Sequence, residues 1–475
     1  MNNMKNKAIT DREVDFAKWY TDVVKAAKLA DYSSVKGCCI FEPNGYALWE
    51  KMQSVLDKMF KQTGHQNVYM PMFIPEALLH KEAELIEGFA PEGAWVTHGG
   101  QNRLEERLMV RPTSETLFSD YYALKVKSYR DLPKLYNQWC SVVRWEKETR
   151  PYLRTREFLW QEGHTMHATA EEAMKETDQM LEVYREVLED YLAMPVIRGR
   201  KTESEKFAGA DYTLTAEAMM YNGVALQSAT SHYFGNGFAK AFDVKFVNKE
   251  NKDEYCYQTS WGLTTRSIGG LIMTHGDDNG LVLPPRIAPK KVVIVAYSED
   301  LLDKAYEIRD LLNKGGIVAY VDDSEKSAGF KFAEAEVCGI PFRIELGKRE
   351  LENNEIVVAR RDNYTKTNVS LDTDLVAYFK EQIDVMHNDM FNKAKKRMEE
   401  KTYECHNMDE IKEVMENHPG FIKGMWCGSE DCEKQIKEIR GTKSRCIPFN
   451  QEKIDTKCVC CGKEAKDMVI WGIQY

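Results

Sequence analysis

Residues 152–165 read YLRTREFLWQEGHT, and they influence the interpretation of the whole chain. Aromatic residues and threonine favour an extended strand here, so side chains should alternate between two faces. Thr155 would lie on one face, and the opposite face would carry cations, rings, a carboxylate and an imidazole: Arg154, Arg156, Phe158, Trp160, Glu162 and His164. That mixture is typical of a pocket that binds phosphate, a flat base and an ammonium group. A strand with surface ion pairs explains this stretch alone equally well.

The composition narrows the class of protein. A length of 475 residues with 43% hydrophobic and 29% charged residues is typical of a soluble globular protein with several domains. The net charge of −10 excludes a generally basic coat, so an RNA partner would need a local basic surface. No run approaches membrane-spanning length and residues 1–16 lack an apolar signal segment, so we expect a cytoplasmic protein without a membrane partner.

The chain divides into three predicted regions, residues 1–287, 288–387 and 388–475. Prolines around residue 287 mark the first boundary. The second region begins with a strand, a helix and a second strand, which predicts a parallel α/β unit. We expect Ser298 to cap that helix and Gly315 to end it. The third region is charged and helical before it becomes rich in cysteine.

A long helix is predicted in the first region after Thr169. Thr169 and Glu172 form a capping box at its start. Its apolar residues repeat at helical spacing, and we interpret this stripe as core packing: Met180, Tyr184, Val187, Leu188 and Tyr191.

Four further segments carry polar groups suited to chemistry. Residues 110–116, VRPTSET, would place Arg111, Thr113 and Glu115 on one face if they are extended. Arg144 and Glu146 meet at the end of a strand in residues 137–148. The other two segments are residues 225–235, with Gln227, Thr230 and His232, and residues 260–272, which run into a helix whose N-terminus could hold an anion.

These groups have complementary chemistry. Arg144 and Arg266 could neutralise phosphates, and Phe158 could stack on a base. Glu115 and Glu162, near Trp160 and Phe207, could hold an ammonium group. The sequence has no phosphate-binding P-loop, no serine nucleophile elbow and no HExxH zinc motif.

The same segments resemble the class II aminoacyl-tRNA synthetases. YMPMFIPE at 69–76, with Pro71, looks like the first class motif, which lies at the dimer interface. VVRWEKE with LRTREFLWQEGH looks like the second, two antiparallel strands and a loop, and GLTTRSIGGL at 262–271 looks like the third. Together with RPTSET, NQWC, KFAGADYT and TSHYFG they resemble prolyl-tRNA synthetase, and the last region resembles the archaeal and eukaryotic-type extension.

The resemblance implies an activity and a fold. It implies ATP-dependent attachment of L-proline to tRNA(Pro) through a prolyl-adenylate, with Mg²⁺ on ATP, by a homodimer. It implies a mixed α/β chain: an α+β catalytic domain with an antiparallel sheet and flanking helices, an α/β anticodon-binding domain, and a small α+β zinc-binding domain. Bacterial relatives carry an editing insertion, but only about 110 residues separate Arg156 from Arg266, so we expect no internal editing domain.

The resemblance also assigns the site residues. Arg144 and Arg266 are the expected catalytic groups. The expected ATP contacts are Arg144, Glu146, Thr155, Phe158, Gln227, Thr230, Thr264 and Arg266. The expected proline contacts are Thr113, Glu115, Arg144, Trp160, Glu162, His164, Phe207, His232 and Ser260.

Residues 325–362 resemble the anticodon-binding domain of this subclass. The residues expected to contact tRNA are Glu345, Lys348, Arg349 and Arg360. The family often has proline where Lys348 stands, so the local turn could differ. Each of the four could equally be a surface charge of a small α/β domain.

Cysteines concentrate at the end of the chain, and in a cytosolic protein this favours metal over disulfides. CGSEDC at 427–432 and CVCCG at 458–462 offer thiolates for tetrahedral zinc. We favour Cys427, Cys432, Cys458 and Cys461 as ligands of a structural Zn²⁺, with Cys460 as the alternate to Cys461. A reduced cluster without metal is the other interpretation. The resemblance also directs Tyr475 inward.

Two alternatives remain at this stage. Another subclass member such as a threonyl or glycyl enzyme is one, although the catalytic zinc ligands of threonyl enzymes have no match in residues 1–287. A synthetase-like RNA-binding protein that has lost catalysis is the other. Such loss should replace the phosphate arginines, yet Arg144 and Arg266 are both present.

Overall fold

The computed structural model describes residues 9–81 and 93–475, so residues 1–8 of the first predicted region lie outside it. Within these ranges the helices are α1 (Phe16–Ala26), α2 (Pro43–Gln62), α3 (Glu76–Leu79), α4 (Glu115–Lys125), α5 (Ala170–Glu186), α6 (Gly237–Ala241), α7 (Arg266–His275), α8 (Leu302–Lys314), α9 (Ala328–Val337), α10 (Lys348–Glu352), α11 (Leu375–Glu400), α12 (Met408–Asn417) and α13 (Glu430–Glu438).

The strands of the first region are β1 (Ala30–Tyr32), β2 (Cys39–Phe41), β3 (Gln66–Asn67), β4 (Phe73–Pro75), β5 (Ala94–Gly99), β6 (Asn102–Val110), β7 (Lys134–Val143), β8 (Glu157–His167), β9 (Val196–Arg200), β10 (Tyr212–Met219), β11 (Ala225–Tyr233), β12 (Lys245–Val247), β13 (Asp253–Tyr255) and β14 (Tyr257–Thr264). The remaining strands are β15 (Val292–Ala296), β16 (Ala319–Val321), β17 (Phe342–Leu346), β18 (Glu355–Arg360), β19 (Lys366–Ser370), β20 (Thr402–Glu404), β21 (Phe421–Trp426), β22 (Thr442–Pro448) and β23 (Asp467–Ile473).

An eleven-stranded sheet organises the first region, in the order β20-β21-β23-β22-β9-β10-β11-β14-β8-β7-β3. Its centre, from β9 to β7, is antiparallel throughout. The predicted antiparallel catalytic sheet with flanking helices is therefore confirmed. In the register of β7 with β8, Gln138 lies opposite Glu162 and Tyr136 opposite His164.

Helix α5 packs against this sheet as the sequence predicts. The Thr169 side chain accepts a hydrogen bond from the Glu172 amide and caps its first turn. Met180, Tyr184 and Leu188 are buried in the apolar core, so the stripe is core packing.

Helix α7 lies close to the sheet and to the loop before β8. A Cβ on Gly269 would come within 2.5 Å of the Leu153 side chain, and one on Gly270 within 2.8 Å of Leu226. A larger residue at either position would force these side chains to move, so the two glycines allow the close approach of the helix. The close seating fixes the first residue of α7, Arg266, at the end of β14.

The second region contains a five-stranded sheet in the order β16-β15-β17-β18-β19. Strands β16, β15 and β17 are parallel, as predicted, and β18 and β19 complete the sheet in antiparallel orientation. The expected cap differs, because a 3₁₀ turn over Glu299–Leu301 follows Ser298 and α8 begins only at Leu302. Gly315 ends α8 as expected.

The third region is joined to the first through the sheet, because β22 pairs with β9. Buried ion pairs cross the same junction, where the Glu217 carboxylate lies 2.8 Å from Lys201 Nζ and 2.8 Å from Arg445 Nη2. The predicted boundary at residues 387 and 388 falls inside α11, a continuous helix. The division into three regions stays a prediction.

Two local predictions are wrong. Residues 152–156 form a loop before β8, and Tyr152 there has a φ of +62°. Residues 110–116 are not one extended segment, since β6 ends at Val110 and α4 begins at Glu115. Among the described residues, no helix has the length and apolar character to cross a membrane; the cytoplasmic location stays a prediction.

Candidate active site

One cavity of about 380 Å³ lies over the centre of the antiparallel sheet. Strands β8, β11 and β14, the end of β7 and the starts of α4 and α7 surround it. Every residue predicted to contact ATP or proline lines this cavity: Thr113, Glu115, Arg144, Glu146, Thr155, Phe158, Trp160, Glu162, His164, Phe207, Gln227, Thr230, His232, Ser260, Thr264 and Arg266. The segments that carry them are far apart in sequence and meet because neighbouring strands bring them together.

Strand β8 supplies one wall. From Glu157 onward its residues alternate, so Phe158, Trp160, Glu162 and His164 all face the cavity.

The two arginines predicted on that face lie in the loop before β8, so the alternation of the strand does not set their orientation. Arg154 lines the cavity from the loop, as does Thr155, which the sequence placed on the opposite face. Arg156 lies outside the cavity lining and donates hydrogen bonds to the carbonyls of Glu146 and Lys36. Arg111 likewise lies outside the lining, donating to the carbonyls of Ser141 and Met70.

Cations dominate one end of the cavity. Arg144 Nε donates to the Pro112 carbonyl at 3.2 Å, and its guanidinium lies 5.5 Å from the Phe158 ring centroid. Arg266 Nε donates to the Leu153 carbonyl at 3.1 Å. Burial and the nearby charge of Arg144 lower the pKa of Arg266 to about 10, which leaves it charged at neutral pH. Two half-buried cations side by side favour a polyanionic ligand such as a phosphate chain.

The start of α7 contributes less than the sequence suggested. The Arg266 amide donates to the Thr264 hydroxyl at 3.0 Å, so this helix-terminal N–H already has an acceptor. The arginine side chains supply the charge at this end.

The other end of the cavity contains a carboxylate whose hydrogen bonds are already supplied by the protein. Glu162 accepts from the Ser114 hydroxyl at 2.5 Å and from Gln138 Nε2 at 2.6 Å. It also accepts from the Ser114 amide at 3.1 Å and lies 2.8 Å from His164 Nε2. Burial alone would raise the pKa of Glu162, but the charge of His164 and these hydrogen bonds hold it below its usual value.

His164 completes an ion pair with Glu162. Burial alone would lower the pKa of His164, but the charge and hydrogen bond of Glu162 raise it above its usual value. The ring stacks on Phe118 with centroids 4.3 Å apart. His164 Nδ1 is buried and has no hydrogen-bond partner among the described residues, so a ligand in the cavity could accept from it.

Glu115 is the second buried carboxylate, and its surroundings differ. It accepts from the Thr113 hydroxyl at 2.5 Å and from the Ser260 hydroxyl at 3.1 Å. Two neutral donors leave acceptor capacity on a carboxylate. Glu115 is therefore the better acceptor for a ligand ammonium group.

An aromatic wall with a neutral imidazole faces these carboxylates. The ring centroids of Phe207 and His232 are 4.6 Å apart, and Thr213 Oγ1 lies 2.9 Å from His232 Nδ1. Burial, followed by the charges of His164 and Arg144, lowers the pKa of His232 to about 3, so it is neutral at physiological pH.

Sequence reasoning missed Ser114 and Gln138, which position Glu162. Ser114 lies inside a quoted motif but has no charge to draw attention to it. Gln138 could have been found from the register of β7 with β8, since it lies opposite Glu162.

Comparisons with known proteins agree with this geometry. Three family models match the chain. The tRNA synthetase class II core domain (G, H, P, S and T) matches residues 95–275, the anticodon binding domain matches residues 291–382, and the C-terminal domain of prolyl-tRNA synthetase matches residues 408–475. A proline--tRNA ligase of Lachnoclostridium phytofermentans is 59% identical over 99% of this chain and 98% of that protein. The chain belongs to the prolyl-tRNA synthetase family.

Other members of the prolyl-tRNA synthetase family give the same result. A proline--tRNA ligase of Clostridium novyi is 58% identical over 99% of this chain and 98% of that protein. A crystal structure of prolyl-tRNA synthetase from Cryptosporidium parvum, complexed with halofuginone and AMPPNP, superposes with a TM-score of 0.94 at 39% identity and covers 98% of this chain and 99% of that one. The predicted family and fold class are confirmed.

The four residues predicted for anticodon contact differ in solvent exposure. Glu345 is only 3% exposed and accepts hydrogen bonds from Arg343, Lys366 and Tyr297. Arg360 is committed to Asp362 and Asp389.

Lys348 and Arg349, at the start of α10, are exposed. Lys348 carries one surface ion pair, 2.9 Å from Asp300. The structure therefore leaves this short helix as the accessible part of the predicted anticodon contacts of the synthetase.

The predicted metal ligands of the synthetase lie together. One sulfur from each of Cys427, Cys432, Cys458 and Cys461 falls within 4.8 Å of the others. The alternate, Cys460, donates instead to Gln435 Oε1 at 3.5 Å. Four sulfurs in this arrangement are the donor set of a structural zinc site.

Proposed function

We propose that this chain attaches L-proline to tRNA(Pro) in two ATP-dependent steps, with the cavity over β8, β11 and β14 as the catalytic site. The observation that carries the proposal is the cavity itself, in which half-buried cations at one end face a carboxylate with spare acceptor capacity at the other. Such a cavity fits an amino acid and ATP placed end to end.

In the first step, the carboxylate of proline attacks the α-phosphate of ATP in line, and pyrophosphate leaves. Arg144 and Arg266 stabilise the charge that develops on the phosphoryl oxygens. No protein base is required, because a carboxylate is already a nucleophile. Positioning and charge neutralisation supply the catalysis.

Adenine stacks on Phe158, with Arg266 on its other side. Gln227, Thr230 and Thr264 offer hydrogen-bonding groups along the same end of the cavity. Mg²⁺ enters with ATP, bound to its phosphates, and Glu146 is the carboxylate on that side whose oxygens suit a hard cation.

Proline binds with its ammonium group at Glu115. Glu162 serves by holding His164 and the floor of the pocket, since its own acceptor sites are occupied. Trp160 and Phe207 enclose the ring, and contact of the ammonium with an aromatic face adds about 0.5–2 kcal/mol. A pocket that selects by shape separates one methylene by only about 1–3 kcal/mol, so some activation of alanine or cysteine is expected.

In the second step, the prolyl group passes to the terminal ribose of tRNA(Pro). The second region, residues 288–387, recognises the anticodon, with Lys348 and Arg349 as its accessible contacts. Glu345 and Arg360 act by shaping this surface. Residues 1–287 carry catalysis and residues 388–475 stabilise the catalytic sheet.

Cys427, Cys432, Cys458 and Cys461 hold a structural Zn²⁺ that contributes to folding. Elemental analysis of purified protein should give one zinc per chain. Cys461→Ser should lose the metal and lower thermal stability, whereas Cys460→Ser, its matched control, should keep both. Loss of zinc from Cys460→Ser alone would reverse the ligand assignment.

The enzyme acts as a homodimer through the surface around Pro71. Tyr69, Met72 and Phe73 are large apolar side chains that are exposed on one protomer, and a partner protomer would cover them. Light scattering should give twice the 54.8 kDa chain mass, and Phe73→Glu should shift it toward the monomer. A monomeric wild-type protein would contradict the dimer.

The decisive experiment is ATP–pyrophosphate exchange across all twenty amino acids. Exchange dominated by proline supports the proposal, and exchange dominated by threonine or glycine would keep the class but overturn the substrate. A folded protein with Mg²⁺ that shows no exchange would instead support an RNA-binding protein without catalysis.

A further inference from the structure

A second cavity lies where the three regions of the chain meet, at the C-terminal end of α7. It has a volume of about 250 Å³, and we call it the junction cavity. Its cationic lining comes from the start of the chain and from α11: Arg12, Lys393 and Arg397. It is separate from the catalytic cavity, which meets α7 at the opposite end.

The three cations of the junction cavity lack acidic partners. Within the described ranges, no carboxylate lies within ion-pair distance of Arg12, Lys393 or Arg397. The aspartates nearby are already paired with arginines outside the lining: Asp277 with Arg361, and Asp362 and Asp389 with Arg360. Because Arg360 is shared by two aspartates, the three aspartates and their two arginine partners leave one negative charge against the three cations, so positive charge is in excess around the cavity.

The cations and one hydroxyl of the lining have hydrogen-bond donors to spare. Arg12 Nη1 donates to the Gly276 carbonyl at 2.7 Å, and Arg397 Nη2 donates to the Thr274 carbonyl at 2.8 Å, so both cap α7. Each guanidinium has five N–H groups, and these caps use one of each. The Thr274 hydroxyl also lines the cavity, is buried and has no partner in the described structure.

One aromatic ring holds these cations in place. The guanidinium carbons of Arg12 and Arg397 lie 3.6 Å and 5.3 Å from the centroid of the Tyr221 ring. Burial, followed by the charge of Arg12, lowers the pKa of Arg397 to about 10. Two like charges held on one ring repel each other, and an anion bound between them would offset this repulsion.

We propose that the junction cavity binds a phosphate group through Arg12, Lys393, Arg397 and the Thr274 hydroxyl. A phosphate has several acceptor oxygens, which match the spare donors of these four groups. The phosphate comes either from solution or from the backbone of tRNA, and the tRNA source alone depends on the function proposed above.

Inorganic phosphate is the first probe. Titration calorimetry is run with proline and a non-hydrolysable ATP analogue filling the catalytic cavity. Wild-type protein should bind one phosphate, and Arg397→Met should weaken it about tenfold or more, as expected for loss of a charge-assisted hydrogen bond. Lys393→Met leaves both helix caps intact, so it tests the site even if Arg397→Met fails to fold. The matched control is Lys395→Met, an exposed lysine of the same helix outside the lining.

Binding of tRNA(Pro) distinguishes the two sources. If a backbone phosphate occupies the site, Lys393→Met should weaken tRNA binding and lower the slope of log K against log salt by about one, with Lys395→Met unchanged. If free phosphate is the ligand, Lys393→Met should lose phosphate affinity and keep tRNA affinity. Wild-type protein that shows neither saturable phosphate binding nor a tRNA effect of Lys393→Met overturns the proposal. Proline-dependent exchange measured on the same samples reports separately on the catalytic proposal.

Discussion

The sequence predicted which residues meet in the candidate catalytic cavity, but it did not predict which charges of the anticodon-binding region are exposed. Every residue expected around ATP and proline lines one cavity, whereas the four expected at the anticodon divide between exposed, ion-paired and buried positions. A small enclosed substrate requires side chains that converge, and the register of adjacent strands sets this convergence. Recognition on a surface requires exposure, and a motif does not reveal which of its charges the fold has already paired.

A smaller contrast of the same kind lies inside the cavity. Glu162 and Glu115 are both buried carboxylates, yet five donor contacts reach Glu162, one of them from Cys140 Sγ, and two reach Glu115. We therefore propose that the first carboxylate supports the fold of the pocket and that the second binds the ligand. Residue type alone could not separate these roles.

The largest expected effect tests this division at Glu162. Glu162→Gln leaves the buried imidazolium of His164 without its counter-charge, which should lower the free energy of unfolding by about 3–5 kcal/mol. Urea denaturation followed by circular dichroism measures this loss. His164→Gln with Glu162→Gln should recover part of the stability, since neither charge then remains.

The effect of Glu162→Gln should depend on pH. The lowered pKa of Glu162 gives stability that is present above its usual value of 4.5 and lost as pH falls. The raised pKa of His164 gives stability that is complete below its usual value of 6.5 and lost as pH rises through the raised value. The difference between wild type and variant should therefore be largest between these two values. A pH-independent difference would contradict a charged pair.

Removal of Arg266 should have the second-largest effect, and it should raise the barrier to catalysis rather than lower the free energy of unfolding. Arg266→Gln removes a half-buried cation from the phosphate end and should reduce proline-dependent exchange by about 10²–10³-fold. Thermal unfolding should change little, because among the described residues the Arg266 side chain donates one hydrogen bond, to the Leu153 carbonyl. Arg198→Gln, which breaks a surface pair with Glu182, is the control and should leave exchange intact. Equal losses in both variants would remove the special role of Arg266.

Glu115→Gln should affect substrate binding rather than folding. Loss of a charge-assisted hydrogen bond of about 1.5–3 kcal/mol should raise the KM for proline about 10–100-fold. The KM for ATP should change much less. An equal rise in both values would place the ammonium group elsewhere and remove the contrast with Glu162.

Much of the catalytic site could be predicted because strand geometry is simple. Once β8 is extended, period-two alternation places Phe158, Trp160, Glu162 and His164 on one face. The start of β8 could not be predicted, because Tyr152 adopts a left-handed backbone conformation. The Tyr152 hydroxyl donates a hydrogen bond to the Leu29 carbonyl, which is distant in sequence. That contact depends on tertiary packing, which a local pattern does not contain.

The supporting residues were missed for the same reason. Gln138 contacts Glu162 only because β7 and β8 pair in a particular register. The union of β22 with β9 was also missed, since strands of different regions give no local signal when they share a sheet. The clustering of Cys427, Cys432, Cys458 and Cys461 was easier to predict, because CX4C and CX2C spacings are typical of metal sites; that they bind zinc stays a prediction.

The anticodon region offers a moderate test of the opening contrast. Glu345→Gln removes the charge that Arg343 and Lys366 share, so it should lower stability by about 1–3 kcal/mol. Affinity for tRNA(Pro), measured well below the unfolding transition, should change less than twofold. A large loss of affinity in folded Glu345→Gln protein would restore Glu345 as a direct contact.

The smallest expected effect belongs to the exposed pair on α10. Lys348→Ala and Arg349→Ala should leave stability within about 0.5 kcal/mol, because both side chains are exposed. Each should weaken tRNA(Pro) binding severalfold and reduce the dependence of affinity on salt, as expected for an exposed charge near a phosphate backbone. Lys314→Ala, an exposed lysine at the end of α8, is the matched control. If all three variants bind tRNA alike, α10 is not the anticodon surface. The prediction of anticodon contacts would then fail for the exposed residues as well.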